Sequence, residues 1–233
     1  MTNKYSIVLL NALPDKKIKS LGNKCLIKIN KKYTLIDYQI DFFNSIFDNP
    51  EIIIVGGFDG KRLKKYIDNH LADINIKYVE HAVDDGTNIG TSLAVAKKLI
   101  SHKNCLIINS SLLLYSSIRS LLLDNLNSSF LFVHNTDKNK NEVGYIQNNN
   151  KLINCYYGLP NIIFDCLYIN SYDIEKFLNI CGSNIQRYYL FEIINKCIEH
   201  DISIKPINIT KKSILSIDST NSIKHIRDKL CIK

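Results

Sequence analysis

Lysines crowd one short stretch of this sequence: Lys16, Lys17, Lys19 and Lys24 fall within residues 14–24, with Lys28, Lys31 and Lys32 just beyond. The stretch follows an apolar run, residues 6–10, that reads as a buried strand. An ammonium at the end of such a strand can offset phosphate charge and stabilise the extra charge of an in-line transition state. A solvated basic loop is the alternative reading of the same residues. Seven cysteines and six histidines are scattered, with no C-x-x-C or H-x-x-x-H spacing. A protein-built zinc site is therefore not expected, and most cysteines sit in apolar runs, as reduced buried thiols do.

Charge and composition narrow the partners. The 233 residues carry a formal net charge of +8, with 45% hydrophobic and 22% charged residues. That is an ordinary globular balance with a preference for an anionic partner: a nucleotide, a nucleic acid or a phosphorylated metabolite. The chain is also rich in Lys, Ile and Asn and has no Trp, so part of the lysine excess fits an AT-rich coding bias on solvated faces. No apolar run has the length of a membrane span, and the first residues do not read as a secretory signal. A cytoplasmic protein is the expectation. Nucleic-acid binding has no support beyond charge, because no interleaving of aromatic and basic residues accompanies it.

These residues need elements to position them. Residues 6–10, 51–55, 76–79, 105–109 and 130–134 read as strands, and 35–47, 61–69, 91–100 and 116–125 as the helices between them. Leu35, Ile36, Ile40, Phe43 and Phe47 recur at helical spacing and give the first helix a buried face. Strand–helix–strand repetition predicts an α/β, Rossmann-like, mostly parallel sheet with helices on both faces and ligands at the carboxyl ends of its strands. After a polar turn at residues 137–141 the pattern becomes mixed. Residues 143–147 and 152–157 read as a hairpin about an asparagine turn, 163–169 as a strand, and 172–181 as a helix capped by Ser171. Residues 187–200 read as an amphipathic helix, 204–209 as a strand and 220–230 as a terminal helix. Tyr156, Tyr157 and Tyr168 read as sheet residues. Thr91 is a candidate N-cap after Gly90, and Asp218 can start the last helix with Ser219 and Thr220.

Several of these stretches together resemble one family, in order and over nearly the whole chain. GNKCLIKINKKYTLIDYQI resembles the PK-x-L…L-I-x-Y-Q-I segment of sugar-1-phosphate and phosphocholine nucleotidylyltransferases, with Lys24 on the signature lysine. EIIIVGGFDGKRLKKYI is similar to the family's next strand, glycine turn and helix. GTNIGTSLAVAKKLI resembles its base-binding loop, with Gly90 and Thr91 at the nucleobase. NEVGYIQNNNKLINCYYGLP resembles the substrate-side hairpin, with Gly144 at the usual glycine. SILSIDSTNSIKHIRDKL is similar to the closing I-D-[ST] segment, with Asp218 on a metal-binding aspartate.

The resemblance implies a GT-A-like nucleotidyltransferase fold over 1–233 as one domain. Residues 1–134 would form the nucleotide-side half, and 135–233 the substrate-side half and closing helix. It implies transfer of a nucleoside monophosphate from a triphosphate to a sugar phosphate or phospho-alcohol, releasing pyrophosphate, with Mg²⁺ as cofactor. Lys24 and Lys16 would act in catalysis, Ala12, Leu13, Gly90 and Thr91 would hold the nucleotide, and Ser111 and Asp218 would meet the metal. Two stretches depart from the pattern. The family's A-A-G-x-G-x-R aligns with Leu10-Asn11-Ala12-Leu13-Pro14-Asp15-Lys16. Ala12 resists positive φ, and Pro14 has no N–H to offer a phosphate. Where the family has an aspartate after its central strand, this chain has Asn109, Ser110 and Ser111. Asp84 and Asp85 are the nearest acidic residues that could compensate, or they form a solvated acidic turn. The alternative function is a catalytically inactive member of this fold that serves as a binding or assembly module for a protein partner.

Overall fold

Two apolar clusters on opposite sides of one sheet organise the chain. The computed structural model describes residues 4–14, 17–84, 87–136, 142–210 and 212–230. Its strands are β1 (Tyr5–Leu10), β2 (Glu51–Gly56), β3 (Ile76–Glu80), β4 (Asn104–Asn109), β5 (Leu112–Leu114) and β6 (Phe130–His134). They continue with β7 (Val143–Asn148), β8 (Lys151–Tyr157), β9 (Ile162–Ile169), β10 (Lys205–Asn208) and β11 (Ile214–Ser216). The helices are α1 (Leu35–Asn44), α2 (Gly60–His70), α3 (Ile89–Ala96), α4 (Arg119–Asp124), α5 (Ile174–Cys181), α6 (Leu190–Glu199) and α7 (Thr220–Leu230).

Strand alternation assigns the two faces. Val8, Leu10, Ile53, Val55, Ile107 and Leu167 pack into the cluster that includes Leu93 of α3, Phe177 of α5 and Ile194 of α6. Ile7, Leu9, Ile52, Ile54, Ile108 and Tyr168 pack into the other, with Ile40 and Phe43 of α1 and Leu63 of α2. Every residue of β1 and β2 is buried, which explains why they read as continuous apolar runs. Each such Ile or Leu contributes about 1.5–3 kcal/mol by leaving water. The Tyr168 hydroxyl is satisfied inside the core by Asn104 Oδ1 (3.0 Å) and Leu126 O (3.1 Å).

The expected mostly parallel sheet is present, in the order β10-β6-β9-β4-β1-β2-β3. Only β9 runs against its neighbours, antiparallel to both β4 and β6. The expected hairpin is β7–β8, turning through Asn149 (φ 49°) and Asn150 (φ 59°). Two successive left-handed asparagines match the twist of a hairpin. Thr34 and Asp37 form a reciprocal capping box that starts α1.

Several local expectations need correcting. The first helix ends at Asn44, and residues 116–118 form a 3₁₀ turn ahead of the short α4. A two-stranded ribbon, β5–β11, was not foreseen. Thr91 does not cap α3: the Asn88 side chain does, accepting from Ile89 N at 2.8 Å. Ser171 does not cap α5, because the Asn170 carboxamide accepts from Tyr172 N and Asp173 N in the preceding turn. At α7 it is the Ser219 hydroxyl, not Asp218, that accepts from Ser222 N (3.2 Å). The turn at 137–141 lies outside the described residues. Among the described residues no helix is long and apolar enough to cross a membrane.

Candidate functional site

The carboxyl ends of β1, β2 and β3 surround a cavity of about 540 Å³ lined by Pro14, Lys19, Gly57, Phe58, Glu80, His81, Ala82 and Val83. The loop after β1 forms one wall. Ala12 is buried, and its carbonyl accepts from Phe58 N at 2.9 Å. A Cβ at Gly57 would lie 2.7 Å from that carbonyl, so glycine is what lets the two turns touch. Ala12 does not adopt positive φ, in keeping with its side chain. Leu13 and Pro14 close with Asn23, Lys24 and Phe58 on a slot of only about 10 Å³, room for about one water molecule. Lys19 Nζ sits 5.4 Å from the centre of the Phe58 ring. His81 Nε2 lies 3.0 Å from Ser92 Oγ. Asp15, Lys16 and Asp85 lie outside the described residues.

A second group of polar residues lies behind the slot. Asn23 caps a 3₁₀ turn, Lys24–Leu26, by accepting from Cys25 N (3.0 Å). Its own amide is held by Phe58 O (2.9 Å), and its oxygen accepts from Asn11 Nδ2 (2.9 Å). Asn11 Oδ1 in turn accepts from the buried Ser110 hydroxyl (2.9 Å). This ladder fixes the start of the turn and delivers Lys24 Nζ to Asn109 Oδ1, 3.3 Å away at the end of β4. Asn109 Nδ2 donates to Asp165 Oδ2 at 3.3 Å across the β4–β9 pairing. Burial raises the Asp165 carboxyl above its usual value, against the Asn109 hydrogen bond and the Lys24 charge. Burial likewise pushes the Cys25 thiol up to about 12, so Cys25 is no nucleophile at neutral pH. The arrangement holds one ammonium beside a neutral amide and a carboxylate, at the strand ends where an anion would arrive.

Sequence reasoning placed Lys24 here and missed Asn11, Asn23, His81 and Asp165. The signal for Asp165 was present as the one charge inside the apolar run IIFDCLYI.

The donors do not fit a protein-held Mg²⁺. Asn109 Oδ1 already accepts from Lys24 Nζ, Ser111 N (3.1 Å) and Ser111 Oγ (2.9 Å), and a lysine ammonium on a ligand oxygen opposes a cation. Ile217 N donates to Ser111 O at 2.8 Å, so the chain beside Asp218 pairs with Ser111 through the backbone, while Asp218 is exposed and Ser111 is buried. No group of three or more acidic, histidine or cysteine side chains capable of holding a metal occurs among the described residues. Asp84 belongs to a surface turn with Thr87, whose hydroxyl donates to Asp84 Oδ1 (2.8 Å).

Gly90 and Thr91 are engaged by the chain itself. Gly90 N donates to Tyr188 O (3.0 Å), while Thr91 N and Oγ1 donate to Gln186 O (3.2 and 2.8 Å). A Cβ at Gly90 would fall 1.7 Å from Ile185 O. Gly144 is equally tight, with Leu159 O 2.3 Å from the position of a Cβ. Tyr156 and Tyr157 are exposed at the end of β8, and both rings meet Phe191 edge-on.

No protein-family model matches this sequence, and no curated protein matches it significantly. Solved structures do match its fold. The CTP:phosphocholine cytidylyltransferase of Streptococcus pneumoniae superposes with a TM-score of 0.73 at 16% identity, covering 97% of this chain and 99% of that one. A putative glucose-1-phosphate thymidylyltransferase from Bacillus anthracis gives 0.73 at 12% identity over 97% and 94%. A UDP-glucose pyrophosphorylase in complex with UDP-glucose gives 0.73 at 11% over 99% of each chain. The protein has the nucleotidyltransferase fold that its sequence resembled. At these identities the likeness establishes the fold, and activity has to be argued from the residues.

Proposed function

We propose that the protein transfers a nucleoside monophosphate from a nucleoside triphosphate to a phosphorylated small molecule, a sugar phosphate or phospho-alcohol. An acceptor phosphate oxygen attacks the α-phosphorus, the bond to the β-phosphate bridging oxygen breaks, and pyrophosphate leaves with the electron pair. The observation that carries this reading is Lys24 Nζ held against Asn109 at the end of β4, with Lys24 on the slot whose Pro14 and Phe58 also line the strand-end cavity. Lys24 is suited to stabilise charge at the α-phosphate, and the cavity bounded by Phe58 and His81 suits a base. Substrate positioning at the far side would fall to the β7–β8 hairpin that Gly144 allows to pack closely. Mg²⁺ is the usual cofactor of this chemistry, neutralising phosphate charge, but the donors in place do not fit it. The six buried free cysteines among the described residues support a reducing, cytoplasmic setting.

The test is pyrophosphate release across a panel of nucleoside triphosphates and phosphorylated acceptors, with and without Mg²⁺. Activity lowered about 10²–10³-fold in Lys24→Ala supports the assignment. Absence of pyrophosphate release and of any nucleotide-induced thermal shift would overturn it.

A second reading is a non-catalytic binding or assembly module. It is favoured by the amide of Asn109 in the place of a carboxylate and by the Gly90 and Thr91 donors already spent within the chain. Nucleotide binding without turnover, together with capture of a protein partner, would select it.

A further inference from the structure

Strand β3 delivers two polar side chains to the cavity at the strand ends. Side chains alternate along it: Tyr78 packs with the α2 cluster and Val79 with the α3 cluster, so Glu80 leaves toward α2 and His81 toward α3. Both are held where they land. The Tyr78 hydroxyl is shared between Glu80 Oε2 (3.3 Å) and Gly60 O (3.1 Å). A Cβ at Gly60 would lie 2.5 Å from Glu80 Oε1, so the missing side chain is what seats the carboxylate against the first residue of α2, the positive end of that helix. His81 has both ring nitrogens engaged, Nε2 with the buried Ser92 hydroxyl (3.0 Å) and Nδ1 with Ala82 O (2.9 Å). Its ring is fixed and offers a base no free edge. Glu80 is then the one side-chain acceptor left among the described residues that line the cavity. Pro14 and Phe58 line both this cavity and the slot that holds Lys24, so a base placed here leaves its phosphates on the Lys24 side.

We propose that Glu80 is a specificity-determining residue, and that the cavity selects nucleotides whose base carries an exocyclic amine, those of cytosine, guanine and adenine, over those of uracil and thymine. The proposal rests on the nucleotidyl-transfer reading of the same site and names the base class it takes. An exocyclic N–H donates to the Glu80 carboxylate in a charge-assisted hydrogen bond. Uracil and thymine carry a carbonyl oxygen where cytosine carries its amine, and a carbonyl facing a carboxylate leaves two acceptors unpaired. Their N3–H stands between two carbonyl oxygens, so a carboxylate that accepts from it meets a carbonyl on either side. The rings of Phe58 and His81 supply stacking surface to any base. They add affinity without choice, and the carboxylate makes the choice.

The probes are CTP, GTP, ATP, UTP and dTTP, each titrated calorimetrically into the full-length protein. The three amino-bearing nucleotides are expected to bind about tenfold or more tighter than UTP and dTTP. Glu80→Gln, whose amide presents either a donor or an acceptor, is expected to erase that ratio at an unchanged ligand-free melting temperature. Tyr78→Phe keeps the carboxylate but releases its orientation, and is expected to reduce the ratio. Lys24→Ala is expected to weaken all the nucleotides alike and to keep the ratio. The proposal is overturned if UTP or dTTP binds as tightly as CTP, or if the ratio survives in Glu80→Gln; either result leaves the transfer reading standing. Binding of none of the nucleotides at millimolar concentration overturns both.

Discussion

Asn109 Nδ2 donates to Asp165 Oδ2 across the antiparallel β4–β9 pairing at 3.3 Å, while the other face of the same amide accepts from Lys24. One neutral side chain thus separates a lysine ammonium from a half-buried carboxylate. That separation organises what the site can and cannot do.

Replacing the amide by a carboxylate removes the donor and puts two negative charges in contact. We expect Asn109→Asp to lower stability in the absence of divalent ions by about 1–3 kcal/mol, one to two pKa units of charge repulsion. Millimolar Mg²⁺ should restore the variant while leaving the parent protein unmoved. Thermal melts with and without MgCl₂ decide it; a variant indifferent to Mg²⁺ would show that no cation site can be completed here.

Asp165 is predicted to cost stability at neutral pH. Its folded carboxyl sits above the usual 3.8 because of burial, so the folded state holds the proton more tightly than the unfolded one. Stability then falls as pH rises from about 3.8 through the raised folded value, and stays lowered above it. Asp165→Asn should raise the melting temperature at pH 7 and bring no gain at pH 3. A lower melting temperature at pH 7 would contradict the assignment.

Glu51 behaves in the opposite sense. Burial alone would raise its carboxyl, but hydrogen bonds from Lys77, from the Ser101 hydroxyl and backbone, and from the Ser6 hydroxyl outweigh it and hold it at about 2 against an ordinary 4.5. The Ser6 and Ser101 hydroxyls each approach to 2.6 Å. The stabilisation is complete above pH 4.5 and is lost as pH falls toward 2. Glu51→Gln should therefore melt lower at pH 7, with the difference closing at pH 2. Parallel melting curves at both pH values would refute it.

Gly90→Ala tests the joint between α3 and the segment carrying Ile185 and Gln186. Alanine favours a helix by about 1 kcal/mol over glycine, but here its Cβ would meet Ile185 O. Overpacking of this kind costs about 1–3 kcal/mol, and the Thr91–Gln186 hydrogen bonds would be strained with it. Urea unfolding should show net destabilisation; a more stable variant would mean that the joint yields freely.

The sheet was legible because strands buried on both faces are written as unbroken apolar runs, as in IVLL and IIIV. The β7–β8 hairpin was legible because the turn needs two left-handed residues and the sequence supplies asparagines. What escaped was set by long-range pairing. Three-residue strands such as β5 and β11 carry too little pattern to stand out, and their existence depends on each other. The pairing of Asn109 with Asp165 follows from the β4–β9 register, in which Ile108 lies opposite Cys166, and no local motif encodes that. Thr91 is not the cap because α3 already begins at Ile89 behind Asn88, and the Thr91 hydroxyl donates instead to Gln186 O, a long-range contact that no local motif encodes.

The position of β9 has a consequence for how the chain comes into being. β4 and β6 are made early, yet they are not neighbours; the strand that joins them is β9, residues 162–169. A ribosome that has delivered only the first 134 residues has produced a sheet with a vacant lane at its centre. β4 then exposes an unpaired edge until β9 emerges, while β6, which pairs only with β9 and β10, stays open on one side until residues 205–208 emerge, and exposed edges are templates for wrong partners. Synthesis of this protein should therefore pass through an interval of exposed strand edges that narrows when Ile169 clears the exit tunnel and ends only when Asn208 does.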